Sequence, residues 1–86
     1  MKIVFSEKAE KELDAAEQSL RKLSIAHAEK VAAMPPRRHM RFGLPFNVEE
    51  VTKQARIVYQ TENDACYILH CFKSHKDYER WHKSFK

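Results

Sequence analysis

The chain is poor in residues that break or staple a backbone. Its 86 residues include one glycine, three prolines and two cysteines. So little glycine and proline excludes collagen-like and low-complexity chains. Gly43, Pro35, Pro36 and Pro45 all fall in one stretch, "PPRRHMRFGLP" (residues 35–45), so the punctuation marks a single irregular connector. Two cysteines exclude a disulfide scaffold. Cys66 and Cys71 lie in a strand-like run, where odd spacing turns their side chains to opposite faces and argues against a bridge. They also lack zinc-pair spacing. No apolar run is long enough for a signal peptide or membrane span, so the expected location is the cytoplasm, with no membrane partner.

What is present points to a folded protein. Hydrophobic residues make up 43% of the chain and charged residues 33%, with five Phe, three Tyr and one Trp. That composition is far from a disordered chain, and the length predicts a single domain over residues 1–86 with a modest core. The formal net charge of +4 is uneven. Residues 1–36 hold six Lys/Arg against six Asp/Glu, whereas residues 37–86 hold ten against six. A basic second half suits a polyanion or an acidic partner; it equally suits a charge offset kept for solubility.

The apolar pattern predicts the elements. "KIVF" (2–5) is a short strand, and Ser6 is a helix N-cap with Glu7 in the first turn. Ala9, Leu13, Ala16, Leu20 and Leu23 recur at helical steps, and Ile25, Ala28, Val31 and Ala32 continue the period. One straight helix to Met34 would span roughly 42 Å at 1.5 Å per residue. A hairpin is therefore expected, broken between Gln18 and Ser24, with Ser19 or Ser24 as the second cap. Strands follow over 46–53, 55–61 and 65–72, the last two joined by "END". In the last strand Tyr67, Leu69 and Cys71 should oppose Cys66, Ile68, His70 and Phe72. Ser74 and Asp77 suit a capping box opening a helix over 76–85, with Tyr78, Trp81 and Phe85 as its packing stripe. The predicted class is α+β: an N-terminal strand, a helical hairpin, an antiparallel β-meander with helices packed on one face, and a short C-terminal helix. A sheet face left open would be a docking surface.

The run "ARIVYQTENDACYILHCF" followed by "SHKDYE", in this order of elements, resembles the RelE/ParE toxin superfamily over nearly the whole chain. The first run is similar to that family's penultimate hairpin, and the second to the Ser/Thr-His-x-Asp/Ser-aromatic ending of its YafQ-like branch. The resemblance implies the toxin of a type II toxin–antitoxin pair. It further implies an endoribonuclease that cuts mRNA, on the ribosome, by metal-independent attack of the 2′-OH. It implies as partners a cognate antitoxin, expected to be acidic, together with mRNA and the ribosome, and a higher-order toxin–antitoxin complex. Two alternatives stay open: a ParE-like inhibitor that binds DNA gyrase through its helical hairpin without catalysis, and a non-enzymatic basic module that docks nucleic acid or a partner.

Metal-free RNA cleavage needs an acid or base that works near neutrality, and cations for the charge gathering on phosphorus. The catalytic candidates are His75, which matches the family histidine, Arg56 as a planar phosphate clamp, and Lys73. Arg38, Arg41, Lys53 and Lys76 are candidate phosphate-binding cations, and Tyr78 a candidate base-orienting ring. The competing roles are structural: His75 as a solvent-facing residue of a helix cap, Arg56 paired with Glu49 or Glu50, and Tyr59 in the core. His39 is a weaker acid/base candidate, and His27, His70 and His82 read as structural or surface groups. No histidine pair has metal-ligand spacing, so neither metal nor cofactor is expected.

Overall fold

The computed structural model describes residues 2–33 and 46–84. Elements follow in the order β1 (Lys2–Phe5), α1 (Glu7–Ala15), α2 (Gln18–Ala33), β2 (Asn47–Glu50), β3 (Arg56–Glu62), β4 (Ala65–Phe72) and α3 (His75–Lys83). Among the described residues four strands form one sheet in the order β1-β4-β3-β2. The meander β2-β3-β4 is antiparallel, as the pattern implies, and β1 adds to it parallel to β4, which makes the sheet mixed. The class is α+β. None of the described helices is long and apolar enough to cross a membrane.

Two of the three predicted serine caps form. Ser6 Oγ accepts the Ala9 N–H at 3.0 Å and Ser74 Oγ accepts the Asp77 N–H at 3.1 Å, each removing one orphan donor from a helix start. The β3–β4 hairpin turns on Asn63 and Asp64, with φ of 47° and 65°. Short polar side chains tolerate this left-handed geometry, which a two-residue hairpin turn requires.

The helical break lies elsewhere than the spacing predicts. It falls at Ala16 and Glu17, before Gln18, and Ser24 lies buried inside α2 and caps nothing. The cause is Arg21. Its Nε donates to the Leu13 carbonyl at 3.0 Å, and its Nη2 to the Asp14 and Ala16 carbonyls at 3.2 and 3.1 Å. The orphan carbonyls of α1 are thus capped by a side chain from the next helix, with no glycine needed. The new break also shifts the phase of α2, so Leu23, expected in the apolar stripe, is 46% exposed.

Helices α1 and α2 cover one sheet face. Ala9, Leu13, Ala28, Val31 and Ala32 pack there on Ile57, Tyr59, Cys66, Ile68 and Cys71. Full burial of Ile57 and Ile68 contributes about 1.5–3 kcal/mol each. Helix α3 packs on the opposite face, where Tyr78 and Trp81 meet Val58, Phe72 and Leu69. The face that could have stood open is therefore partly closed by the last helix.

One expectation for β4 is overturned. The register runs Val58↔His70 and then Tyr59↔Ile68, so Leu69 is an extra residue, a β-bulge. The bulge reverses the alternation beyond it. Cys66, Ile68 and Cys71 all face α1 and α2, while Leu69 and Phe72 face α3. The two cysteines share a face after all, and both are free thiols.

Candidate active site

The sequence candidates gather at one end of the sheet, where β4 ends, β3 begins and α3 starts. Arg56 is the first residue of β3 and pairs across the sheet with Phe72. Lys73 and Ser74 follow Phe72 directly, and His75 opens α3. Lys53 belongs to the β2–β3 connection at the same end, and Lys76 to the first turn of α3. Lys53, Lys73 and Lys76 are exposed. Arg38, Arg41 and His39 lie outside the described residues.

The β2–β3 connection is built around Thr52. Its Oγ1 accepts the Gln54 and Ala55 N–H groups at 3.2 and 2.9 Å, and the Val51 N–H donates to the Ala55 carbonyl at 3.0 Å. This turn presents three carbonyls to Arg56. Nη1 lies 2.7 Å from Thr52 O, 3.0 Å from Lys53 O and 3.0 Å from Ala55 O. Arg56 is therefore held by backbone and not by the carboxylates of Glu49 or Glu50. Glu49 instead faces α2, with His27 Nδ1 at 2.8 Å and Lys30 Nζ at 3.4 Å. Among the described residues the Nε and Nη2 groups of Arg56 have no hydrogen-bond acceptor. These two N–H groups form the edge of the guanidinium that grips two oxygens at once.

His75 is half-exposed. Its Nε2 lies 2.6 Å from Glu79 Oε1, one helical turn on, while Nδ1 points inward and is buried with no hydrogen-bond partner among the described residues. Tyr78 is 6% exposed, with ring centroids 6.1 Å from both His75 and Phe72. Burial leaves its ring no open face for a nucleobase; it packs as the wedge between His75 and the sheet. Tyr59 is likewise core. His70, read from the sequence as a structural or surface group, stacks on Phe72 at 4.8 Å and meets Glu12 at 3.3 Å.

Glu12 closes the free edge of β4. Strand β1 stops pairing at Ile68; beyond it Ser6 Oγ donates to the Leu69 carbonyl at 2.8 Å and the Cys71 N–H donates to Glu12 Oε1 at 3.0 Å. A small recess of about 100 Å³ opens beside it, lined by Glu12, Ala15, Cys71, Phe72, Lys73 and Asp77. Burial, with the Glu12 charge adding to it, pushes the Cys71 thiol up to about 12, and burial also raises Cys66. Neither sulfur is a nucleophile at neutral pH.

Three contributors escaped the sequence reading: Thr52, Glu79 and Glu12. Glu79 had a legible signal, since it stands four residues after His75 on a predicted helix. Thr52 and Glu12 act through turn and tertiary contacts that spacing does not reveal. No group of three or more His, Cys, Asp or Glu suited to a metal occurs among the described residues.

No protein-family model matches the chain, and no curated protein matches its sequence. Solved structures do match, and they share its fold. The YoeB–YefM complex from Staphylococcus aureus contains a chain with TM-score 0.65 and 13% identity, covering 84% of this chain and 94% of that one. A metal-bound toxin from Helicobacter pylori reaches TM-score 0.67 at 20% identity, covering 90% and 97%. A YoeB/ParE toxin from Agrobacterium tumefaciens gives TM-score 0.60 at 13% identity, covering 85% and 98%.

Proposed function

We propose that this chain is the toxin of a toxin–antitoxin pair and an endoribonuclease that cleaves mRNA in the cytoplasm, on the ribosome, as one domain. The toxin role rests on the fold it shares with the Staphylococcus and Agrobacterium toxins. An antitoxin partner is supported by the YoeB–YefM toxin–antitoxin complex from Staphylococcus aureus, whose toxin-like chain shares the fold. The activity rests on the end of the sheet, and the observation that carries it is Arg56. Its Nη1 is anchored on three carbonyls while its Nε/Nη2 edge has no hydrogen-bond acceptor among the described residues. Such a cation is already ordered before substrate arrives, so binding a phosphodiester costs little further entropy.

In this reading Arg56 grips the scissile phosphate and stabilises the charge that builds on its oxygens. His75 serves as the acid/base group, moving a proton to or from the reacting oxygens. Lys73 adds positive charge at the same centre. Lys53 and Lys76, with Arg38 and Arg41 in the connector, hold the flanking phosphates, and Tyr78 orients the site by packing behind His75. His75 supplies one of the two proton transfers that cleavage by 2′-OH attack requires, and no metal-dependent step is invoked.

A second reading has one observation in its favour. Leu23 and Ile25 on α2 are 46% and 39% exposed, an apolar outer face on the hairpin that a gyrase inhibitor would use. Purified protein incubated with mRNA-programmed ribosomes, and separately with gyrase and supercoiled DNA, separates the two. Cleaved mRNA with unaffected gyrase supports the ribonuclease; trapped gyrase with intact mRNA replaces it with the inhibitor.

A further inference from the structure

We infer that Glu79 is a built-in competitor for the anion at His75. The inference rests on the reading of His75 as part of a phosphate site. Of the two ring nitrogens, Nδ1 is buried and turned inward, so a substrate oxygen can reach only Nε2. Glu79 already occupies Nε2, its Oε1 2.6 Å away. In the neutral ring the proton therefore sits on Nε2, donated to the carboxylate.

A carboxylate oxygen and a phosphate oxygen ask for the same donor at the same place, so the two exclude each other. Glu79 also repels an approaching phosphate through its own charge. The pair is half-exposed on both sides, at 44% and 49%, so water and salt screen it and the carboxylate can swing away at small cost. The result is a weak latch that keeps the imidazole ordered and satisfied in the free protein and yields to a phosphodiester held by other cations. Lys73 stands two residues before His75 and Lys76 one after it, and neither is in an ion pair among the described residues. They are the groups that would hold the phosphate while Glu79 leaves.

The test is titration of the intact protein with inorganic phosphate at constant ionic strength. It follows the His75 ring signals by NMR in wild type, Glu79→Gln and Glu62→Gln. Glu62 is exposed at the opposite end of β3, so its variant changes net charge equally without touching His75. The expected result is phosphate binding tighter by roughly two- to fivefold in Glu79→Gln, the range of a surface charge pair, with Glu62→Gln close to wild type. Equal tightening in both variants, no change in Glu79→Gln, or no phosphate response at His75 in either overturns the inference. The readout needs no catalysis. Uncut RNA combined with tighter phosphate binding in Glu79→Gln sinks the ribonuclease and leaves the competitor standing. His75-dependent RNA cleavage with phosphate binding indifferent to Glu79 does the reverse.

Discussion

The guanidinium of Arg56 hangs from the carbonyl of Thr52, Nη1 to O at 2.7 Å. This contact turns a flexible cation into a fixed one, because the same turn supplies two more carbonyls to the same nitrogen. Lysine at position 56 could satisfy the carbonyls or the phosphate but has no second edge with which to do both. Arg56→Lys should therefore keep the fold and lose about 10²-fold in RNA cleavage. Single-turnover rates with unchanged circular dichroism check this, and an activity within a few-fold of wild type speaks against the clamp.

Thr52 should act through Arg56 without touching substrate. Thr52→Val removes the Oγ1 that accepts two backbone N–H groups, and the carbonyls under Arg56 lose their fixed positions. The expected loss is about tenfold in the rate constant with substrate affinity little changed. Thr52→Ser, which keeps the oxygen, should restore activity. If serine is as poor as valine, the turn hydroxyl is not what matters.

Stability should depend on two capping side chains that join elements across the chain. Glu12→Ala leaves the Cys71 N–H without its acceptor at the free edge of β4, which should cost about 1–3 kcal/mol. Arg21→Ala uncovers the end of α1 at a cost of about 1–2 kcal/mol. Urea midpoints measure both, and Glu12→Gln, which keeps an acceptor oxygen, should lose less than Glu12→Ala.

Much of this architecture is legible in the chain. Ser6 and Ser74 sit directly before amphipathic runs, and Asn63–Asp64 separates two alternating ones, so local chemistry places these elements. The break at Ala16 could not be read, because it is capped by Arg21 reaching back from the next helix to Leu13 and Asp14, a contact that spacing does not reveal. The face of Cys71 could not be read either. A bulge at Leu69 moves it, and no residue type announces one there. At the site, His75 and Arg56 are visible as residue types, but which edge of Arg56 is open and which nitrogen of His75 is buried belong to the folded state.

Stability should also fall in alkali through Cys71. The folded thiol holds its proton up to about 12, against a usual value near 9.0. In the unfolded chain the proton leaves first. Between those values the unfolded state binds fewer protons, so stability is intact below about pH 9 and declines as pH rises toward 12. Cys66, also raised, adds in the same direction. Urea midpoints at pH 8 and pH 10.5 should fall further in wild type than in Cys71→Ala; equal falls would show that the thiol is not the group responsible.

The most direct measurement is primer extension on cellular mRNA after induction of wild type, His75→Ala and Arg56→Ala. New 5′ ends should appear within coding sequence for wild type and be lost in both variants, with all three proteins folded and present at equal levels. The same cleavage pattern from all three, or none from wild type, would contradict the proposed site.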